Sequence, residues 1–238
     1  MAVEVKKPST WAHYVALLKK DLLQEMHTRE MLTSMGLYAL LVLVVYGAAL
    51  AQTGNKLDVL HMAGGLLWVV VLFTSLLGLN RSFSHEKEQG CLEGMLLIPM
   101  DRSVIFLAKA TANFLFLLVV EIVVVPLFFF FFLGGVELAP SWPLMLVILL
   151  VGTIGIAGVG TMLASITVNT RGKDVMLAVL FIPLIFPLLW ACVAGATCVM
   201  VGAEGYMATF IPSLVMTAGY DVVMILVSWV LYDFVISS

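Results

Sequence analysis

Six long apolar runs limit what this chain can fold into. A helix that crosses a bilayer needs about 20 mostly apolar residues. The sequence supplies such runs at roughly 34–52, 60–79, 104–133, 144–168, 175–200 and 213–235. They are continuously apolar, without the alternation of a barrel strand, so helices are predicted. Only 11% of the residues are charged, against about a quarter in a soluble domain. The reading is an all-α membrane protein, with residues 1–238 forming a single transmembrane domain of six spans. Ala49-Leu50-Ala51 ends the first run in the form of a signal-peptidase site. The run is uncharged from Met31 to Asn55, too long for a signal core of ~7–15 residues, and is read as a retained span.

Lysine and arginine set the expected orientation. Eleven of the twelve fall in the N-terminal segment, the connection between spans two and three (with Lys109 just inside span three), and the connection between spans four and five; Lys56 alone falls on the other side. The positive-inside rule then places both termini in the cytoplasm. Before the first span, residues 10–30 repeat Trp11, Tyr14, Val15, Leu18, Leu22 and Met26 at helical spacing, with Thr10 as an N-cap. This predicts an amphipathic helix in the membrane interface, its Lys19 and Lys20 toward anionic lipid. Pro126, followed by five phenylalanines, predicts a bend in span three, and Pro183 with Pro187 a kink or break in span five.

Against this apolar background, the window 80–102 holds seven of the chain's charges: Arg81, Glu86, Lys87, Glu88, Glu93, Asp101 and Arg102. Gly90 marks a turn within it. After that turn Leu92, Met95 and Leu96 fall at i, i+3 and i+4, and Pro99 ends the pattern. A short helix within 85–99 would present these three apolar residues to the cytoplasm, kept solvated by Glu86, Glu88 and Glu93. An apolar face rimmed by charge marks a protein-binding surface; the same pattern also suits a helix that packs back on its own protein.

The run "EKEQGCLEGMLLIP" resembles the E-x-x-x-G-[ST]-L-E-x-L-x-x-x-P signature of membrane subunits of ABC-2 type transporters. Glu86, Gly90, Leu92, Glu93, Met95 or Leu96, and Pro99 match it; Cys91 stands where that family has Ser or Thr. The resemblance implies that 85–99 is a coupling helix seated in a cleft of an ATPase. Within that group the chain more closely resembles haem exporter B subunits of bacterial cytochrome c maturation, through "GLLWVVVLFTSLLGLNRSF", "LLIPMDRSVIFLAK" and "ITVNTRGKDVMLAVLFIPLIFPLLW". It implies an ABC-2 permease of the bacterial inner membrane. Its partners would be two copies of an ABC ATPase, a haem-handling membrane subunit with a haem chaperone, and a second copy of itself. No G-x-x-x-x-G-K-[ST] sequence occurs in the chain, so ATP is expected to bind the partner. The chain itself is expected to be non-catalytic and without cofactor, with haem as cargo.

Two acids interrupt the spans. Glu121 lies near the middle of span three and Asp221 in span six, placed nearer the outer leaflet. An ionised carboxylate there costs about 3 kcal/mol or more, so each is read as a substrate-path or switch contact, or as a packing carboxyl bonded to a neighbouring helix. Lys109 is expected to snorkel toward the cytoplasm. His61, with Met62 beside it, begins span two on the outer side, while His13, His27 and His85 are placed in the cytoplasm; a lone histidine at a membrane edge is ordinarily an interfacial polar residue, and His61 is the one placed where it could instead ligate haem on that side. Gly152, Gly155, Gly158 and Gly160 predict close helix approach, within the chain or across a dimer. Cys91, Cys192 and Cys198 show no metal-ligand spacing and are read as small packing residues.

Other classes compete poorly. A nucleic-acid partner is disfavoured by the net charge of −3. An intramembrane enzyme needs a catalytic constellation, and the spans offer Glu121 and Asp221 without a deep histidine. An ABC-2 permease for lipid, polysaccharide or drug is the alternative within transport, and a passive membrane scaffold that never couples to ATP is the remaining one.

Overall fold

The computed structural model describes residues 10–50, 56–88, 102–132, 141–168, 170 and 172–237. Seven α-helices account for nearly all of them: α1 Thr10–Thr28, α2 Glu30–Leu50, α3 Lys56–Glu88, α4 Arg102–Phe132, α5 Leu144–Thr167, α6 Lys173–Val201 and α7 Met207–Ser237. Six of these, α2 to α7, are long and apolar enough to cross a membrane. The spans alternate in direction. The start of α2, the ends of α3, α5 and α7, and the starts of α4 and α6 therefore share one end, here called the basic end because it collects Arg29, Arg81, Arg102 and Lys173.

Helix α5 is the centre of the bundle. An ordinary amphipathic helix buries one stripe, yet Gly155 to Ala164 are all buried in α5, on every side of the helix. Its glycines make this possible, because each neighbour occupies the space a side chain would need. Trp68 of α3 and Cys192 of α6 lie over Gly152; Asp221 and Ile225 of α7 lie over Gly155 and Gly158; Leu79 of α3 lies over Gly160. The close approach predicted from these glycines is thus made within the chain. By contrast α7 is peripheral, with 17% of its apolar window buried against 67% for α5, as suits a helix with lipid on its outer face.

Among the described glycines, Gly64 of α3 is the one pressed against another helix's backbone, that of α6. A Cβ on Gly64 would stand 2.9 Å from the backbone nitrogen of Thr197 and 3.2 Å from its Cα. Backbone cannot swing aside as a side-chain tip can. Gly64→Val is therefore expected to lower the thermal midpoint of the purified chain, at a cost of about 1–3 kcal/mol for overpacking. Thermal melting in detergent checks it, and an unchanged midpoint would mean the crossing is looser than this.

Two expectations change. Helix α6 is not broken: it runs unbroken through Pro183 and Pro187. A proline weakens the backbone bonding of the turn before it, and neighbouring helices can make good the loss. Tyr220 of α7 donates its hydroxyl to the Leu184 carbonyl in that turn at 2.6 Å, an added tie between α6 and α7, while the carbonyl that loses its N–H partner to Pro187 is that of Pro183. Helix α4 is one continuous helix that contains Pro126, the residue at which a bend is expected. The last helix starts at Met207, six residues before the apolar run expected from 213. Gly202, left-handed at φ 63°, closes α6 by donating its N–H to the Cys198 carbonyl at 3.1 Å, and the chain turns into α7 at once.

Candidate functional site

The basic end carries a charge network that anchors α1. On this helix Trp11 and Met26 are exposed while Asp21 and Glu25 are buried, facing the bundle. Lys109 of α4 does not reach water as expected of a snorkelling lysine. It is 4% exposed, its Nζ is 2.8 Å from Asp21 Oδ2, and the Phe83 ring lies 6.0 Å away. Lys20 Nζ stands 3.1 Å from Asp21 Oδ1. Glu25 accepts the N–H of Leu32 at 2.8 Å, satisfying a free donor in the first turn of α2. Tyr14 donates its hydroxyl to Thr111 of α4 at 3.0 Å. Arg81 bridges α3 to α2 through Glu30 at 2.7 Å and Ser34 at 3.2 Å. The last pair is exposed, and such pairs contribute under about 1 kcal/mol; the buried Lys109–Asp21 pair is the one that matters. Asp21 and Glu25 were missed in the sequence because an acid on an interfacial helix reads as solvated. Their i, i+4 spacing, which puts both on one face, was the available signal.

The segment 85–99 leaves this end. Helix α3 carries Glu86 and Glu88 in one uninterrupted helix with the span. Gly90, Cys91, Leu92, Glu93, Met95, Leu96 and Pro99 lie outside the described residues, between the end of α3 and the start of α4.

Both intramembrane acids pack on α5, at the same depth. Thr153 Oγ1 lies 2.7 Å from Glu121 Oε1 and 2.8 Å from the Leu149 carbonyl. Eight residues along each helix, in opposite directions, Asn113 Nδ2 donates to Thr161 Oγ1 at 2.9 Å. The two bonds hold α4 and α5 in one antiparallel register about 12 Å apart. Asp221 of α7 fills the space beside Gly155, two residues on and so on the far side of α5 from Thr153. Asp221 is therefore level with Glu121, not nearer one surface as its position in the sequence suggested. Neither of its carboxylate oxygens meets a hydrogen-bond donor among the described residues. Thr153→Val removes the partner of Glu121. Hydrogen bonds between membrane helices average about 0.6 kcal/mol and reach about 1.7, so a modest loss in that range is expected from thermal melts, with Asn113→Leu comparable.

His61 is exposed at the opposite end of the bundle, beside a cavity between α3, α6 and α7. Cys192 is buried, with its Sγ 3.7 Å from Thr217 Oγ1. Cys198 donates to the Gly195 carbonyl, and both thiols are free.

Comparison with known proteins places this architecture. The chain is 31% identical over 146 residues to the heme exporter protein B of Paracoccus denitrificans, covering 61% of this chain and 64% of that one. It is 31% identical over 160 residues to the heme exporter protein B of Rhodobacter capsulatus (67% and 69% covered). With the Escherichia coli K12 protein of the same name it shares 34% over 154 residues (62% and 67%). The matches thus span about two thirds of the length of these relatives, and slightly less for the Paracoccus protein. The model of the CcmB protein family matches residues 12–234. That match begins inside α1, ends inside α7 and takes in every span between, and on it the chain belongs to the CcmB protein family.

Proposed function

We propose that this chain is the membrane subunit of an ATP-driven transporter that delivers haem for cytochrome c assembly. It would sit in the bacterial inner membrane with both termini and the 85–99 segment in the cytoplasm. The observation that carries the reading is the family match across all six spans, joined to relatives named heme exporter protein B. Eleven of twelve lysines and arginines on one side support the orientation. The sequence contains no phosphate-binding loop of the G-x-x-x-x-G-K-[ST] type, so ATP hydrolysis belongs to a partner chain.

Coupling would then be mechanical. Two copies of an ATPase would hold the apolar residues Leu92, Met95 and Leu96 differently in their open and closed states, since only such a difference can drive a change. Helix α3 continues unbroken from its span to Glu88, and α4 resumes at Arg102. Force on the segment would therefore enter two helices that both flank α5. The Lys109–Asp21 pair would carry α1 along with α4.

Sidedness and partnership test this together. A membrane-impermeant maleimide should label Cys91 in inside-out vesicles and spare it in spheroplasts, as read by peptide mapping. The co-expressed ATPase should purify with the tagged chain. Labelling of Cys91 from the outside alone would put the segment beyond reach of any ATP and overturn the reading.

A further inference from the structure

At the end of the bundle opposite the basic network, a cavity of about 520 Å³ opens between α3, α6 and α7. This lies within the range of about 300–1,000 Å³ typical of small-molecule sites. Its floor is one face of α6: Trp190, Val193, Ala194, Thr197, Cys198 and Val201 recur at helical spacing over about 16 Å. The deep part is apolar and opens sideways to lipid, for Trp190 is 68% exposed. The rim is polar, with His61 from α3 and Glu204 and Tyr206 from the turn between α6 and α7. Such a groove suits a flat amphipathic molecule that enters from the membrane and keeps its polar edge at the water. Imidazole, thiol and phenol, the donor types that serve as axial ligands to haem iron, all line it, in His61, Cys198 and Tyr206. Cys198 already donates its proton to the Gly195 carbonyl at 3.1 Å, and Tyr206 is half-buried, which leaves the exposed imidazole as the accessible donor.

We propose that this groove is a haem site on the outer side of the bundle, with His61 as the axial ligand. The proposal rests on the transport reading above and adds where the cargo sits. One imidazole nitrogen gives its lone pair to ferric iron in place of a bound water; no electron or proton need be exchanged with another group. The groove carries no lysine or arginine among its described lining residues, and Glu204 sits at the rim. The porphyrin carboxylates must therefore project past the rim into water, unpaired by the protein. Esterified haem is thus expected to bind as well as haem.

The test uses the full chain in lipid nanodiscs, titrated with hemin and followed by the Soret band. His61→Ala is expected to weaken binding about tenfold or more and to change the band position, with added free imidazole restoring it. Metal-free protoporphyrin, which fits the groove but takes no axial ligand, should bind the wild type and His61→Ala alike. Hemin dimethyl ester should match hemin. A chain with His13, His27 and His85 all replaced by alanine should keep the wild-type spectrum. The site is overturned if His61→Ala keeps that spectrum and affinity, if the triple replacement abolishes it, or if neither porphyrin binds the wild type. ATPase co-purification with His61→Ala separates the two ideas: ATPase retained with hemin binding unchanged removes the site and leaves the transporter reading standing.

Discussion

Lys109→Met is expected to be the most destabilising single change at the basic end, costing about 3 kcal/mol. Asp21 is buried in the junction of α1 with α4, and Lys109 Nζ is its 2.8 Å partner. Removing one member of a buried ion pair costs about 3–5 kcal/mol, because the other is left desolvated and unmatched. The low end applies, since Lys20, whose side chain is about a third exposed, remains 3.1 Å from the other carboxylate oxygen. The attraction within the pair is not what sets this number. Replacing both members with apolar residues, Asp21→Leu with Lys109→Met, should recover most of the loss, as double replacements of buried pairs often do. Thermal melts of the two single variants and the double variant form a cycle that isolates the coupling. A strictly additive result would show that Asp21 and Lys109 act independently, and that α1 is held by Tyr14, Leu18 and Leu22 instead.

A larger effect on function is expected from Leu92→Glu combined with Met95→Glu. If these residues enter an apolar cleft of an ATPase, each charged replacement should remove a contact of the kind that contributes about 2 kcal/mol or more at the centre of an interface. Together they should weaken association by about a thousandfold, or about 4 kcal/mol. The ATPase should no longer purify with the chain, and cytochrome c should fall to the level of a deletion strain. An unchanged midpoint of melting would place the effect at the ATPase interface and not in the packed helices. Cys91→Ser, which supplies the hydroxyl of the signature that this run resembles, should leave assembly intact. Retained ATPase with normal cytochrome c would move the coupling surface elsewhere, first to the exposed residues of the basic end.

How much could be read without the fold differs from feature to feature. Glu121 and Asp221 stood out at once, because a carboxyl within a 20-residue apolar run is costly whatever surrounds it. That they flank the same helix was hidden, since depth along a span cannot be compared across helices whose offsets are unknown. Asp21 and Glu25 were invisible as inward-facing residues for a related reason. Their burial depends on Lys109 and the start of α2, the first of these 88 residues away from Asp21 in sequence. The groove beside His61 combines residues from α3 and α6 that are more than a hundred positions apart, so only the histidine itself could be singled out.

The number of spans, their rough extent and their helical nature were determined by sequence alone. Each follows from the balance between one segment's side chains and its solvent, and needs no knowledge of neighbours. Tertiary structure decided which helix became the centre, where an acid found a threonine or only a glycine, and that a lysine near a membrane surface turned to a carboxylate in place of water. These outcomes depend on which faces meet. In a chain whose spans are apolar on nearly every side, hydrophobic pattern does not choose among faces; small residues and a handful of polar groups do, by close approach and hydrogen bonding.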